Sequence, residues 1–199
     1  MINSQKQVWD NIAKEWHEFK KLPATSTIEF LKKQTGNIID LGAGSGRHLQ
    51  KIKNGKIYLQ DFSEEMIKLA KQKAKQKNIP AEFSVSSMTK LEYPDNFFDS
   101  AICISALHCL NKTEQKKAIK ELYRILKPKA QAFIGVWNKD SKRLKRHKTK
   151  EAIIKWNDKG ERYYYLFSED EVHNLFKKAG FKIISTNNSE MMIRFVVEK

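Results

Sequence analysis

The fold is decided by one short stretch of the sequence, Asp40-Leu41-Gly42-Ala43-Gly44-Ser45-Gly46. It ends an apolar run, Asn37-Ile38-Ile39, that is typical of a buried β-strand. Glycines allow a sharp turn and let the backbone approach a ligand closely. In open α/β sheets, ligands bind beyond the carboxyl ends of the strands. The stretch therefore predicts a ligand site directly after the first strand, in a turn that opens a helix.

The spacing of the glycines excludes two common phosphate-binding turns. A dinucleotide-binding turn needs G-x-G-x-x-G, but Arg47 stands where its third glycine would be, and the Gly-Lys-Ser/Thr of a P-loop is absent. Asp40 would repel a pyrophosphate and suits an ammonium group. A second acid, Asp61, ends the second strand, where a carboxylate can accept both hydroxyls of a ribose. S-adenosylmethionine is a ligand with a ribose, an amine and no phosphate; another nucleotide is the alternative.

The rest of the chain alternates helical and strand patterns. Strands are expected at 37–41, 56–60, 81–85, 98–105, 130–137, 181–186 and 191–198, and helices at 4–20, 25–34, 46–53, after Ser63, at 113–127 and at 168–179. This alternation predicts a Rossmann-like α/β fold, a seven-stranded, mostly parallel sheet with helices on both faces and additional N-terminal helices. We expect one domain over 1–199, with an N-terminal helical segment at 1–37, a core at 38–199 and a basic insertion or long loop near 138–162.

Composition limits the class of protein. The 199 residues include 38 Lys+Arg and 23 Asp+Glu, a net charge of +15, with 40% hydrophobic residues. This is too apolar for a disordered chain, and no apolar run approaches the roughly 18–20 residues that span a bilayer. The only cysteines, Cys103 and Cys109, have no metal-ligand spacing, so we expect no metal site and a reducing, cytoplasmic setting. The charge fits a polyanionic partner, or simply a lysine-rich surface.

Three features bear on a second ligand. His108 follows the fourth strand and would face a substrate, unless it only caps or packs there. The segment Arg162-Tyr163-Tyr164-Tyr165 could stack on a base and contact phosphate, or pack its rings on the sheet. Residues 139–150 contain seven Lys or Arg among twelve residues and no helical stripe, so a polyanion explains them better than a solvated helix face.

Four segments resemble the class I S-adenosylmethionine-dependent methyltransferases. Residues 40–46 match the first motif of that family, Asp61 its ribose-binding acid, 93–99 the stretch before the fourth strand and 122–128 the helix before the fifth. The resemblance implies S-adenosylmethionine as cofactor, bound by Asp40, Gly42, Ala43, Gly44, Gly46, Asp61, Phe62, Ser87, Met88 and Ile104. The family often has an acid after the third strand that holds the adenine amino group, and Ser87 stands there.

Further pieces resemble the branch of tRNA methyltransferases that esterify 5-carboxymethyluridine at the anticodon wobble position. They are residues 8–13, 105–108, 136–137, 162–166 and 196–199. The sequence departs from the branch at Lys20, where an arginine is usual, and at Cys109, where a second histidine is usual. The resemblance implies tRNA and a small zinc-binding activator protein as partners. His108, Lys20 and Arg162 are then the candidates to hold the carboxylate. From the basic run and the tyrosine segment we expect Lys142, Arg143, Lys145, Arg146, Tyr163 and Tyr164 to contact RNA.

Two other functions remain open from the sequence. A methyltransferase of a small metabolite would share the donor site but have no affinity for RNA. A non-catalytic RNA-binding module would keep the fold and lack the donor, and Ser87 is the residue that favours it.

Overall fold

The computed structural model of the protein describes residues 4–199. Its helices are α1 (Gln5–Phe19), α2 (Thr25–Lys32), α3 (Glu64–Gln76), α4 (Lys112–Ile125) and α5 (Glu169–Lys178), with a 3₁₀ turn at Leu107–Cys109. Its strands are β1 (Thr35–Leu41), β2 (Lys53–Asp61), β3 (Ala81–Val85), β4 (Phe98–Ile104), β5 (Leu126–Trp137), β6 (Glu151–Lys155), β7 (Glu161–Tyr165), β8 (Lys182–Thr186) and β9 (Met192–Glu198). No helix in residues 4–199 is long and apolar enough to cross a membrane.

Seven strands form one sheet in the order β3-β2-β1-β4-β5-β9-β8. The pairs among β1 to β5 are parallel, whereas β9 runs antiparallel to both β5 and β8. The strand order reverses direction between β1 and β4, which is where open α/β sheets leave a crevice at their carboxyl edge. The sequence prediction of a Rossmann-like, mostly parallel seven-stranded sheet is confirmed.

Helices cover both faces of this sheet. Along β1, Ile38 packs in a cluster with Leu31 of α2 and Ala70 of α3. Its neighbour Ile39 packs in the opposite cluster, which contains Leu122 of α4. Successive side chains of a strand point to opposite faces, so the side chains of β1 are buried on both faces of the sheet. That double burial explains why the strand is continuously apolar.

The helix expected at 46–53 does not form, and this prediction was wrong. Gly44 and Gly46 have φ angles of 54° and 71°, in the left-handed region that ends rather than starts a helix. Gly46 and Leu49 donate backbone hydrogen bonds only three residues back, as in successive turns. Leu49 and Ile52 are nevertheless buried, so the apolar spacing that suggested a helix comes from a packed turn.

Two further boundaries differ from the sequence prediction. The segment 138–162 is not simply a loop, because β6 and the following β7 form a two-stranded antiparallel sheet. Within it Leu144 is buried and anchors the basic segment. At the other end, β1 already begins at Thr35, so the N-terminal helical segment is shorter than 1–37. The predicted helix at 4–20 corresponds to α1, which packs against α3 and β7, while residues 1–3 lie outside the described part.

Candidate active site

A cavity of about 530 Å³ opens at the carboxyl edge of the sheet. Its floor consists of the glycine turn after β1, the end of β2 and the turn after β4. Its walls include Trp9 and Trp16 of α1, Trp137 at the end of β5, Tyr164 of β7 and Arg194 of β9. The cavity therefore brings together segments from the whole length of the chain.

The glycine turn is shaped by close approach of the backbone to the turn after β4. Gly42 has a φ of 68°, and a Cβ there would lie 2.2 Å from the Cβ of Ala106. Its N–H donates to Oε1 of Gln60 at 3.3 Å. Gln60 is buried on the cavity wall and was missed by sequence reasoning, because an amide near a strand end has no distinctive pattern.

Asp61 is the buried acid at the end of β2. Its Oδ2 accepts a hydrogen bond from Gly44 N at 2.8 Å, and its Oδ1 accepts one from Ser63 N at 2.9 Å. Burial raises the pKa of Asp61 to about 6, although these backbone N–H groups act in the opposite direction. Each carboxylate oxygen can accept more than one hydrogen bond, so both retain capacity for a ligand hydroxyl.

Asp40 is buried beside the cavity rather than on its wall. Its Oδ2 has no hydrogen-bond partner within residues 4–199, and the Nδ1 atom of His48 lies 3.9 Å away. His48 does line the cavity, and its Nε2 also has no partner in the described chain. A buried carboxylate oxygen without a donor favours a positively charged group nearby, because the buried charge is otherwise uncompensated.

His108 lies on the cavity wall in the turn after β4 and is 1% exposed. Its Nδ1 accepts a hydrogen bond from the backbone N–H of Trp137 at 3.0 Å, so the ring proton belongs on Nε2. Burial, and to a lesser degree the charge of Arg47, lowers the pKa of His108 to about 3. The side chain is therefore a neutral N–H donor at pH 7, and neither a cation nor a free base.

Ser105 precedes this turn with a φ of 63°, a conformation that is uncommon for a residue other than glycine. Its N–H donates to the carbonyl of Gly135 in β5, and the residue lines the cavity. Backbone held in this region concentrates at ligand sites. The sequence analysis singled out His108 in this segment and gave Ser105 no role of its own.

Lys20 also lies on the cavity wall, at the end of α1. Its Nζ is 4.8 Å from the centroid of the Phe19 ring. Burial lowers the pKa of Lys20, and the charges of Arg47 and Arg143 lower it further. Lys20 is therefore placed where its side chain can contact a ligand in the cavity.

Arg162 does not line the cavity. It is 4% exposed and lies over the rings of Trp9, Trp16, Trp156 and Tyr164, with centroid distances of 4.8–5.8 Å. Its Nη1 donates to the hydroxyl of Tyr164 at 2.7 Å, and its Nε has no partner in the described residues. This enclosure gives Arg162 no direct access to a substrate, which corrects the expected contact with a carboxylate.

The structure separates the other predicted residues into two groups. Gly42, Ala43, Gly44, Asp61, Phe62, Ser87, Met88, Ile104, Arg143 and Tyr164 line the cavity, whereas Gly46, Lys142, Lys145, Arg146 and Tyr163 do not. Tyr164 is 1% exposed and stacks on Trp137, so its ring is not free to stack on a base at the surface. Tyr163 is partly buried and packs against the core cluster that contains residues of α4 and α5. The hydroxyl of Ser87 bonds to Thr89 Oγ1 at 2.8 Å.

Comparison with known proteins identifies the family. A family model described as a methyltransferase domain matches residues 38–129. The ubiquinone/menaquinone biosynthesis C-methyltransferase UbiE of Rickettsia bellii is 31% identical, over 76% of this chain and 71% of its own length. The chain belongs to the S-adenosylmethionine-dependent methyltransferases. Its cofactor is S-adenosylmethionine.

Two other similar proteins have names that concern tRNA modification or an activator. The probable tRNA methyltransferase 9B of Mus musculus is 26% identical over 75% of this chain, which spans 33% of that protein. A Haloferax volcanii methyltransferase, solved in complex with the Trm112 methyltransferase activator, superposes with a TM-score of 0.74 at 17% identity and covers 100% of this chain and 99% of its own. That likeness shows the fold alone. The methyltransferase family is established by these comparisons, and the wobble-uridine branch is not.

The residues of the cavity fit the cofactor. The Asp61 carboxylate can accept hydrogen bonds from ribose hydroxyls. Gly42 and Gly44 have no side chains, so their backbone itself lines the cavity and can contact the ligand. The unpartnered Oδ2 of Asp40 suits the amine of the methionine part, directly or through water. When bound, S-adenosylmethionine supplies a methyl group activated by a sulfonium.

The pH dependence of donor binding tests the assignment of Asp61 to the ribose. Hydroxyl donors favour the ionised carboxylate, so binding should lower a pKa that is about 6 in the free protein. We therefore expect the affinity for S-adenosylhomocysteine, measured by calorimetry, to be constant above pH 7 and to fall as the pH drops below about 6. In Asp61→Asn the affinity should be lower and this pH dependence should disappear. An unchanged profile in Asp61→Asn would contradict the assignment.

Proposed function

We propose that this methyltransferase transfers the methyl group to the carboxylate of 5-carboxymethyluridine at the wobble position of tRNA. The observation that carries the proposal is that the basic segment, residues 139–150, reaches the active-site cavity. Arg143 of that segment lines the cavity, and its neighbours Lys142, Lys145 and Arg146 are exposed. Across residues 4–199, none of these four side chains is paired with an acid. An RNA strand bound along this segment would place one of its bases in the cavity.

The chemistry of this acceptor suits the groups on the cavity wall. A carboxylate is ionised at pH 7, so its oxygen can attack the methyl carbon without a general base. The new bond joins that oxygen to the methyl carbon while the sulfur–methyl bond breaks, which yields a methyl ester and S-adenosylhomocysteine. The neutral His108 can then orient the carboxylate through its Nε2–H without taking its charge, and Lys20, which lines the same cavity, adds a cation. Catalysis reduces to orientation and exclusion of water.

The remaining cavity residues receive roles on the donor side. Asp61 would accept the ribose hydroxyls, Asp40 would orient the amine, and the backbone from Gly42 to Gly46 would lie against the methionine part. Phe62, Ser87, Met88 and Ile104 would surround the adenine. Because the Ser87 hydroxyl is already engaged with Thr89, we assign adenine recognition there to backbone and apolar contacts.

A small zinc-binding activator is part of the proposal. The support is the complex of the Haloferax volcanii methyltransferase with the Trm112 activator, in a chain of closely similar fold. If this chain needs such a partner, tRNA methylation by the isolated protein should be weak and should rise when the activator is added.

Methylation of a small metabolite is the second candidate. It is favoured by the similarity to UbiE and by the aromatic and apolar part of the wall, including Trp9, Trp16 and Phe62. Membership in the methyltransferase family and the intact Asp61 site argue against a non-catalytic RNA-binding module.

One experiment separates these functions. Bulk tRNA is incubated with the protein, with and without the activator, in the presence of S-adenosylmethionine labelled in its methyl group, and the tRNA is then digested to nucleosides. The proposal predicts label in the methyl ester of 5-carboxymethyluridine, which mild alkali removes. Label in a base-stable nucleoside, or none in tRNA and turnover of a free small acceptor, would overturn it.

Neutralising the basic segment tests its contact with RNA. We expect the combined change of Lys142, Arg143, Lys145 and Arg146 to Gln to weaken tRNA binding. The dependence of log K on log salt should flatten by about one unit per lost phosphate contact. The matched control changes Lys68, Lys71 and Lys75 on α3 and Lys77 at its C-terminal cap to Gln, which removes the same charge from a surface outside the cavity. Equal effects of the two variants would show that the segment acts only through the general positive charge of the surface and has no specific contact with RNA.

Substitution of His108 tests its role as a hydrogen-bond donor. His108→Ala should lower kcat for tRNA methylation by about tenfold or more, since it removes one hydrogen bond to a charged acceptor, and should leave donor binding within about twofold. His108→Gln, which keeps an N–H, should recover part of the rate. With a pKa near 3, the histidine should add no step to the rate profile between pH 5 and 8. Full activity of His108→Ala would remove the residue from the mechanism.

A further inference from the structure

Four cationic side chains line the active-site cavity: Lys20, Arg47, Arg143 and Arg194. Elsewhere the chain commonly pairs such groups, as in Arg124 with Glu121 and Asp95. Within residues 4–199, none of the four cavity cations makes an ion pair or a side-chain hydrogen bond. The cavity is therefore lined by four positive charges that make no direct ion pair within the described residues.

These cations are close enough to perturb one another. Burial lowers the pKa of Arg47, and the charge of Arg194 lowers it further, with only Asp40 acting in the opposite direction. Arg47 in turn lowers the pKa values of Lys20 and His108. Like charges held together in a partly buried site destabilise a folded chain unless a ligand compensates them. The cluster thus indicates a bound anion.

Within residues 4–199, the acids near the cavity make no direct ion pair with the four cations. Asp61 accepts hydrogen bonds from Gly44 and Ser63, and the carboxylate of Glu114 accepts one from the N–H of Asn111 in the cap of α4. Among these acids, it is the charge of Asp40 that raises the pKa of Arg47. The four cations therefore remain available for direct ion pairs with a ligand.

The donor cannot neutralise the cluster either. S-adenosylmethionine has a single anionic group, its carboxylate, against a sulfonium and an ammonium. After one cation is assigned to that carboxylate, a surplus remains at the substrate end. Unpaired cations in the cavity therefore favour a second ligand that brings negative charge of its own.

Arg47 and Arg194 are the cations best placed for that second ligand. Arg194 on β9 pairs with Gly135 of β5, whose carbonyl accepts the N–H of Ser105 at the start of the His108 turn. Arg47 follows the glycine turn and acts electrostatically on His108. Both side chains are half-buried, whereas Arg143 is exposed. Two guanidinium groups beside an imidazole N–H can bind a planar or tetrahedral oxyanion through several donors at once.

We infer that the methyl acceptor binds as an anion, with its carboxylate or phosphate group held between Arg47 and Arg194 beside His108. The inference rests on the proposed function and deepens it, because it names the residues that would hold the acceptor's charge. It also replaces Arg162, which is enclosed by aromatic rings, as the arginine expected to do so.

Small-anion binding tests this inference without any tRNA. The probes are acetate and inorganic phosphate, titrated by calorimetry at constant ionic strength into protein that is free or saturated with S-adenosylhomocysteine. We expect both anions to bind the saturated protein and Arg194→Gln and Arg47→Gln each to weaken this binding about tenfold, the loss of one charge-assisted hydrogen bond. Arg194→Lys should recover part of it. Lys116→Gln, which removes one exposed charge from α4, is the matched control and should leave it unchanged.

Two results would overturn the inference. Anion binding that disappears when S-adenosylhomocysteine saturates the site would assign the arginines to the donor carboxylate. Anion binding by the saturated protein that is equal in Arg194→Gln, Arg47→Gln and the parent chain would place the anion elsewhere. If the anions bind as expected while tRNA is not methylated, the wobble-uridine proposal fails and the anionic acceptor stands.

Discussion

The carboxylate of Asp61 connects the segments that form the active site. One oxygen holds the N–H of Gly44 in the glycine turn, and the other holds the N–H of Ser63 at the start of α3. The Ser63 hydroxyl then donates to Asp10 of α1 at 2.6 Å and accepts the N–H of Met66. Through this chain a single buried charge positions the turn after β1, the end of β2, α3 and the N-terminal helix. The raised pKa of Asp61 is the electrostatic consequence of burying that charge.

A second buried charge organises the opposite wall. Arg162 has no acid partner among the described residues and is held by the faces of Trp16, Trp156 and Tyr164, with one hydrogen bond to the Tyr164 hydroxyl. Tyr164 stacks on Trp137 with ring centroids 4.3 Å apart, and the Trp137 N–H fixes the tautomer of His108. Cation–π contacts of a desolvated guanidinium contribute about 2 kcal/mol or more. These contacts connect Arg162, through Tyr164 and Trp137, to the part of the cavity wall that contains His108.

Much of the fold and part of the site were predictable because their signals are local. The apolar run of β1, the glycines that follow it and the acid at the end of β2 are close together in sequence, and they form the centre of the sheet and part of the cavity floor. The helix expected at 46–53 was wrong because the burial of Leu49 and Ile52 gives a packed turn the same spacing as a short helix. Arg162 is enclosed partly by tryptophans from α1, which are about 150 positions away in the sequence. No local pattern could therefore reveal that enclosure. Arg47 and Arg194 are likewise far apart in the sequence, and only the folded sheet shows that both line the same cavity.

We expect one cavity to hold the donor at Asp61 and to leave its cationic residues for the acceptor. A crystal structure of the protein with S-adenosylhomocysteine would test this arrangement. Both ribose hydroxyl oxygens should lie within about 3 Å of the Asp61 carboxylate, with the sulfur directed toward His108 and with Arg194 free of the donor. A ribose bound by other residues, or a donor carboxylate that engages both Arg47 and Arg194, would contradict it.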